Sequence, residues 1–279
     1  VIAFLAAAAS LLAQPYRIVS TSPSITETLF ALGLGDRVVG VSQHCHYPPE
    51  AARRPRIGSY LRPNVEAIVA LRPDLVIVQA DVEDAASQLE RAKIAVLRVQ
   101  HGDLEKMFAG IRLIASRCGV TENGAKVEGD IRSRLAAIRR RTAGLPRRSL
   151  VFIVGRSPGA LDNLIAVGRG SYLNELIEIA GGSNALAGTL MPYPKVSLEA
   201  LLGLNPEVLV DMGDMAETLG VTEDHKRSVL ALWSRHASLK AVAQHRVFAV
   251  AADIFVVPGP RVAEAAEAFE KMLHPEASR

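Results

Sequence analysis

One segment of this chain occurs twice, and that repetition constrains the fold more than any other feature. Residues from Glu66 read EAIVALRPDLVI and residues from Glu199 read EALLGLNPEVLV, at an offset of 133 residues (199 − 66). Glu, Ala, Leu and Pro fall at the same places in both copies. Each copy reads as a short helix, a turn ended by proline and an apolar run. Proline cannot continue a helix. A Val/Leu/Ile run without polar alternation is a strand buried on both faces. A chain that uses this unit twice is expected to have two similar halves. The copies also share an aromatic residue: Tyr60 and Tyr193 each precede the Glu by six positions (66 − 60 and 199 − 193). If the halves face each other across a pseudo-two-fold axis, both tyrosines approach one cleft.

The rest of the chain supports two α/β halves. Strand-like runs occur at Arg17–Ser20, Val38–Val41, Leu75–Val78, Ala95–Val99, Leu150–Val154, Val208–Asp211 and Val247–Ala251. Helical patterns alternate with them at Ser24–Leu32, Val65–Leu71, Ala85–Lys93, Leu104–Cys118, Ser171–Ala180, Leu198–Leu204 and Arg261–Leu273. That alternation predicts open, mostly parallel sheets covered by helices. Between the halves, Glu122–Thr142 has no strand signal. Val127, Ile131, Leu135 and Ile138 form one apolar stripe, and Gly144 and Pro146 stop the helix. At ~1.5 Å per residue it spans about 30 Å. The expected organisation is an N-terminal lobe over 16–119, one connecting helix within 120–146 and a C-terminal lobe over 147–279.

Residues Val1 to Ala13 are almost wholly apolar. They are too short to cross a bilayer, which takes ~20 apolar residues. They fit the remnant of a signal peptide, so the protein is expected outside the cytoplasm. No Cys follows the run, so a lipid anchor is not expected. The formal charge is +3. The clusters Arg139–Arg141 and Arg147–Arg148 have no interleaved aromatics and no nucleic-acid motif beside them. They read as solvated helix charge, and nucleic acid is not an expected partner. Cys45 and Cys118 are compatible with a disulfide or with two free thiols.

At this point the residues resemble a known family. The blocks are SPSITETLFALGLGDRVVGVS (Ser22–Ser42), YPP (Tyr47–Pro49), NVEAIVALRPDLVIV (Asn64–Val78), GRGSYLNELIEIAGG (Gly168–Gly182), PYPKVSLEALLGLNPEVLV (Pro192–Val210) and PGPRVAEAAEAF (Pro258–Phe269). In this order they resemble the periplasmic binding proteins for cobalamin and iron chelates, whose two lobes are joined by one long helix. PYPKVS looks closest to the cobalamin-binding branch. The resemblance implies a monomeric solute-binding protein, without a resident cofactor, serving an ABC permease dimer and its ATPase subunits. Its cargo would be cobalamin or another corrinoid, with a ferric siderophore or haem as alternatives and a bare metal ion as a minor one. Gln79 departs from the pattern, since the cobalamin binders can carry Trp there.

Ligand contacts are expected on the loops at the carboxyl ends of strands. Aromatic residues make up 5% of the chain, so their placement is informative. Tyr60, Tyr193 and Phe255 fall on such loops and suit the flat apolar face of a corrin. Gln43, His44, Gln79 and Asp253 are the polar candidates for its amide rim. His46, Arg261 and the Asp162–Asn163 loop are secondary ones, and Arg62, Arg156 or Arg169 could face an anionic chelate. Gly168-Arg169-Gly170 reads mainly as a turn, with an anion cradle as the other option. Trp233 reads as core packing. Glu66 and Glu199 open their helices, where the helix dipole favours a carboxylate by ~0.3–1 kcal/mol. The resemblance implies a second role for them, docking to basic pockets on the two permease subunits. No G-x-S-x-G elbow, Walker loop or H-E-x-x-H helix appears, so an enzyme is not expected. His44-Cys45-His46 has metal-binding residue types but not a converging spacing.

Overall fold

The structure is a computed structural model that describes residues 14–213, 222–250 and 253–276. The apolar run 1–13 lies outside the described residues, as does the Ala251 end of the last expected strand. Among the described residues no helix is long and apolar enough to cross a membrane.

The N-terminal half runs β1 (Ile18–Ser20), α1 (Pro23–Ala31), β2 (Val38–Val41), α2 (Pro49–Ala52), α3 (Val65–Ala70), β3 (Leu75–Gln79), α4 (Glu83–Arg91), β4 (Val96–Val99) and α5 (Leu104–Arg117). Its four strands form a sheet in the order β2-β1-β3-β4, and every pairing is parallel. The uninterrupted apolar runs explain this arrangement. Ile18, Leu75 and Ile77 face a core shared with α1 and α5, while Val19, Val76 and Val78 face a second core with Ile57, Ile68, Ala86 and Leu89. Adjacent strand residues point to opposite faces, so both faces must be covered.

Helix α6 (Thr121–Thr142) leads to the C-terminal half. That half runs β5 (Ser149–Gly155), β6 (Leu164–Ala166), α7 (Tyr172–Ile179), β7 (Ser183–Asn184), β8 (Lys195–Val196), α8 (Leu198–Leu204), β9 (Val208–Asp211), α9 (Glu223–Trp233), α10 (Lys240–Ala243), β10 (Val247–Ala249) and α11 (Val262–Leu273). The sheet order is β10-β9-β5-β6-β8, with β7 also on β5. Strands β10, β9 and β5 are parallel, whereas β6 alone is reversed, pairing antiparallel with both β5 and β8. The sequence pattern did not contain β6 to β8, whose two or three residues are too few to show a period.

Helix α6 is amphipathic as the stripe requires. Ile131, Leu135 and Ile138 are buried in a single core that includes residues of both halves. Near its end Arg139 and Arg140 are exposed, as solvated helix charge should be, whereas two neighbouring basic residues hold structure. Arg141 makes a two-pronged pair with Glu270 at 2.7 and 2.5 Å, and Arg147 donates to the Gly182 carbonyl at 2.8 Å. The connection is therefore packed along its length, and a wide hinge there would have to expose this core. The fold is two open, mostly parallel α/β lobes joined by one long helix.

Candidate ligand-binding cleft

The repeat holds down to backbone detail. Helices α3 and α8 are capped by Asn64 and Ser197, whose side chains accept from the Ala67 and Ala200 N–H groups at 3.0 and 3.1 Å. Both units end on a left-handed residue, Arg72 at φ 46° and Asn205 at φ 45°. These positions share the offset of 133 (197 − 64 and 205 − 72). Each unit thus delivers its strand from the same turn, and each carries its Tyr on the loop before the helix.

Tyr60 sits at the tip of a tight loop closed by a Gly58–Pro63 bridge. It is half-buried, and the His44 ring meets it edge-on at 5.6 Å and 72°. The Gln43 amide contacts His44 Nε2 at 3.1 Å, so Gln43, His44 and Tyr60 form one cluster. Tyr193 has a different support. The Gly168 N–H donates to the Pro192 carbonyl at 2.8 Å and the Arg169 N–H to the Thr189 carbonyl at 3.1 Å. A Cβ at Gly168 would lie 2.0 Å from the Met191 carbonyl oxygen, and one at Gly170 2.7 Å from that of Leu190. The two glycines are therefore needed for close backbone approach, and the first two N–H groups of the triplet are occupied by carbonyls rather than offered to an anion. The approach leaves Tyr193 44% exposed, with its hydroxyl 3.1 Å from Ser171 Oγ. Desolvation raises the Tyr193 phenol above its ordinary value, and the Ser171 contact opposes that.

The lobes meet near Tyr193, whose hydroxyl contacts Ser171 at the start of α7. The Tyr172 N–H donates to the Gly102 carbonyl at 3.1 Å, and the Leu104 N–H donates to Glu175 at 2.9 Å. Glu27 of α1 pairs with Arg261, which opens α11, at 2.9 and 2.5 Å. Gln79 ends β3 at this junction. With Ser24, Gln100, His101 and Pro258 it lines a cavity of about 20 Å³, room for one water molecule. Tyr172 is buried and its hydroxyl donates to the Phe255 carbonyl at 2.9 Å. Burial, then the nearby Tyr193 and Glu27, push its phenol well up.

Several expected contacts lie elsewhere. Phe255 is a correction: it is 2% exposed and its ring packs at 5.6 and 5.2 Å from Phe152 and Phe269. An aromatic core contributed by distant segments claims it. Arg156 is not free for an anionic chelate either, since it is buried and paired at 2.9 Å with the fully buried Asp211. Trp233, buried as expected, donates its indole N–H to the same carboxylate at 2.6 Å. Asp253 opens a 3-10 turn, Asp253–Phe255, and its side chain is outside the described part. Cys45 and Cys118 are free, buried thiols, and burial raises both. Cys45 turns inward to Thr26 and Ser42 while His44 turns outward to Tyr60, so these two side chains diverge. Among the described residues no group of three or more His, Cys, Asp or Glu could hold a metal ion.

The structure adds one residue that the sequence reading passed over. Tyr47 is 43% exposed, and the Arg261 guanidinium of the other lobe lies 3.9 Å from its ring centre. Only the meeting of the lobes reveals it. Glu66 and Glu199 are both exposed, one on each lobe. The Glu199 carboxyl is held below its ordinary value by its own N–H and the Ser197 hydroxyl.

Comparison with known proteins agrees with this fold. The chain is 30% identical over 270 residues to the vitamin B12-binding protein of Vibrio cholerae, covering 95% of this chain and 92% of the relative. It is 28% identical to YvrC of Bacillus subtilis, an uncharacterized ABC transporter substrate-binding lipoprotein, covering 94% and 81% of the two chains. The solved haem-binding protein RhuT of Roseiflexus sp. RS-1 superimposes with a TM-score of 0.78 at 26% identity, covering 94% and 98%. Residues 18–254 match the family model described as periplasmic binding protein, and this chain, with two α/β lobes on one packed connecting helix, belongs to that family.

Proposed function

We propose that this protein is the extracytoplasmic substrate-binding component of an ABC importer, and that its cargo is cobalamin or a related corrinoid. The observation that supports the reading is the pair Tyr60 and Tyr193, set on repeat-equivalent loops of the two lobes and neither of them fully buried. A corrin ring has a wide apolar face and an amide rim. Two phenol rings supply flat area at little entropic cost, and their hydroxyls, with Gln43, His44 and Gln79, suit the amides. Asp253 remains a candidate for the same rim. Likeness to the Vibrio cholerae protein at 30% identity supports this cargo. Likeness to RhuT favours haem as the second reading. The apolar run 1–13 suits an export signal.

Calorimetry with cyanocobalamin, haem and a ferric chelate tests the choice. Nanomolar binding is expected for cyanocobalamin alone. Tyr60→Ala and Tyr193→Ala should each weaken it about 30-fold, the ~2 kcal/mol typical of a central aromatic contact. Unchanged affinity in both variants would remove the site assignment, and tighter haem binding would replace the cargo.

Glu66 and Glu199 are the proposed contacts to the permease, one on each lobe for a two-fold partner. Such charge-assisted contacts weaken with salt. Glu66→Lys and Glu199→Lys should therefore lower uptake in reconstituted vesicles while leaving cyanocobalamin affinity unchanged. Full uptake in the double variant would sink the docking role.

A further inference from the structure

Three features of the lobe junction occur together. Glu27 is buried, with a side chain 3% exposed, on α1 of the N-terminal lobe. Arg261 reaches it from the start of α11 on the C-terminal lobe, its side chain 12% exposed, through two contacts at 2.9 and 2.5 Å. The same guanidinium lies 3.9 Å from the centre of the Tyr47 ring, which belongs to the N-terminal lobe and is 43% exposed. The Arg261 fork thus uses its edge for the carboxylate and its face for the aromatic ring, a combination that a lysine cannot reproduce.

The neighbouring chain makes this arrangement informative. The loop before Tyr47 is anchored within its own lobe: Arg56 donates to the Ser42 and Cys45 carbonyls at 2.9 Å each, and Cys45 is buried on Thr26. Tyr47 itself is held from the opposite lobe. The turn before Arg261 lies against α1, where a Cβ on Gly259 would stand 3.5 Å from Glu27 Oε2 and 3.6 Å from the Ser24 Cα. A loop anchored in one lobe therefore carries a ring that is contacted by a side chain of the other.

We propose that Arg261, fixed by Glu27, is a positioning residue for ligand binding: it holds the exposed Tyr47 ring as an aromatic surface that exists only while the two lobes keep this alignment. The proposal rests on the corrinoid reading of the cleft. It assigns Arg261 no contact with the ligand.

A double-mutant cycle in cyanocobalamin affinity, read by calorimetry, tests it. Tyr47→Ala and Arg261→Met should each weaken binding about 10-fold, and the double variant should be no weaker than either single one. Arg261→Met combined with Tyr60→Ala should instead multiply, to roughly 300-fold if Tyr60→Ala alone costs about 30-fold. A Tyr47–Arg261 pair that multiplies in the same way would overturn the proposal. If Arg261→Met does not fold, Arg261→Lys keeps the charge and loses the fork. It should still weaken cyanocobalamin about 5-fold at unchanged melting temperature, and wild-type affinity in this variant counts against the proposal. A crystal structure of ligand-free Arg261→Lys supplies an arm independent of the cargo. Tyr47 displaced from its wild-type position supports the inference, and Tyr47 unmoved refutes it. Absence of cyanocobalamin binding to the wild-type protein would fail the corrinoid reading alone and leave this last arm intact.

Discussion

The two lobes begin from one plan and finish it differently. Strands β1, β3 and β4 correspond to β5, β9 and β10: in each lobe three parallel strands lie in the same order, the middle one delivered by the repeated helix and turn. The outer edge differs. Next to β1 the N-terminal lobe places the parallel strand β2, whereas next to β5 the C-terminal lobe places the antiparallel β6, which in turn pairs with β8. The shared unit fixes where Tyr60 and Tyr193 leave the fold. The edges decide what supports them: a neighbouring His ring for Tyr60, and a pinned loop with a hydroxyl contact for Tyr193. The difference teaches that repetition sets position, and the non-repeated edges set rigidity and chemistry.

The sharpest departure is at the end of the repeated strand. Asp211 occupies the position of Val78 in the other copy (211 − 78 = 133). Its buried carboxylate accepts from Arg156, from the Gly213 N–H at 2.7 Å and from the Trp233 indole. Asp211→Val makes the C-terminal lobe match its partner in sequence but strands the Arg156 charge in the interior. It should cost about 3–5 kcal/mol in urea unfolding. Arg156→Leu added to it should recover part of the loss, because an apolar pair replaces an unpaired cation. A single variant that loses under about 1 kcal/mol would show that the network is dispensable and that the lobes are more alike than they look.

A smaller effect tests the two tyrosine supports. Gly168→Ala would drive a methyl group into the Met191 carbonyl, so the 189–194 loop must lift. The expected cost is about 2–3 kcal/mol of stability, with a further loss of cyanocobalamin affinity through Tyr193. The glycine that supports the Tyr60 loop is Gly58, at φ +88° with the Arg62 oxygen 3.1 Å from an added Cβ. Gly58→Ala suffers mainly from its left-handed backbone, about 1–2 kcal/mol. Chemical unfolding of the two variants ranks the supports, and equal losses would erase the distinction between a packed loop and a strained one.

How much of this was legible in the sequence follows the same division. The strands of the parallel core and the connecting helix were readable because buried parallel strands are continuously apolar and α6 carries a regular stripe. The equivalent placement of Tyr60 and Tyr193 was readable because the repeat pairs them. The edge strands were not, since β6 and β8 are specified by glycine-permitted approach of the 189–194 loop and not by periodicity. Phe255 was misplaced because an aromatic residue on a loop looks the same whether it meets a ligand or, as here, Phe152 and Phe269. Arg156 looked available because its partner, Asp211, is 55 residues away. Tyr47 became visible only when the second lobe brought Arg261 to it. Local pattern reports elements, and contacts between lobes need the folded chain.

The smallest expected effect concerns the two turns that start the repeated strands. Arg72 and Asn205 have nearly the same left-handed backbone, at φ 46° and 45°. Asn adopts that region more readily than Arg, because its short side chain bonds locally and reduces the cost of the Cβ. Glycine removes the Cβ but adds freedom to the unfolded chain, about 0.5–1 kcal/mol. At Arg72, an exposed side chain, relief of strain outweighs that term, and Arg72→Gly should gain about 0.5 kcal/mol. At Asn205 the balance reverses. Its side-chain oxygen accepts from the Lys240 N–H at 2.9 Å, so Asn205→Gly loses a bond that tethers the start of α10 and should cost about 1 kcal/mol. Urea midpoints moving in opposite directions would establish that equivalent turns serve unequal neighbours. Midpoints moving together would reduce the difference between the copies to their outer edges.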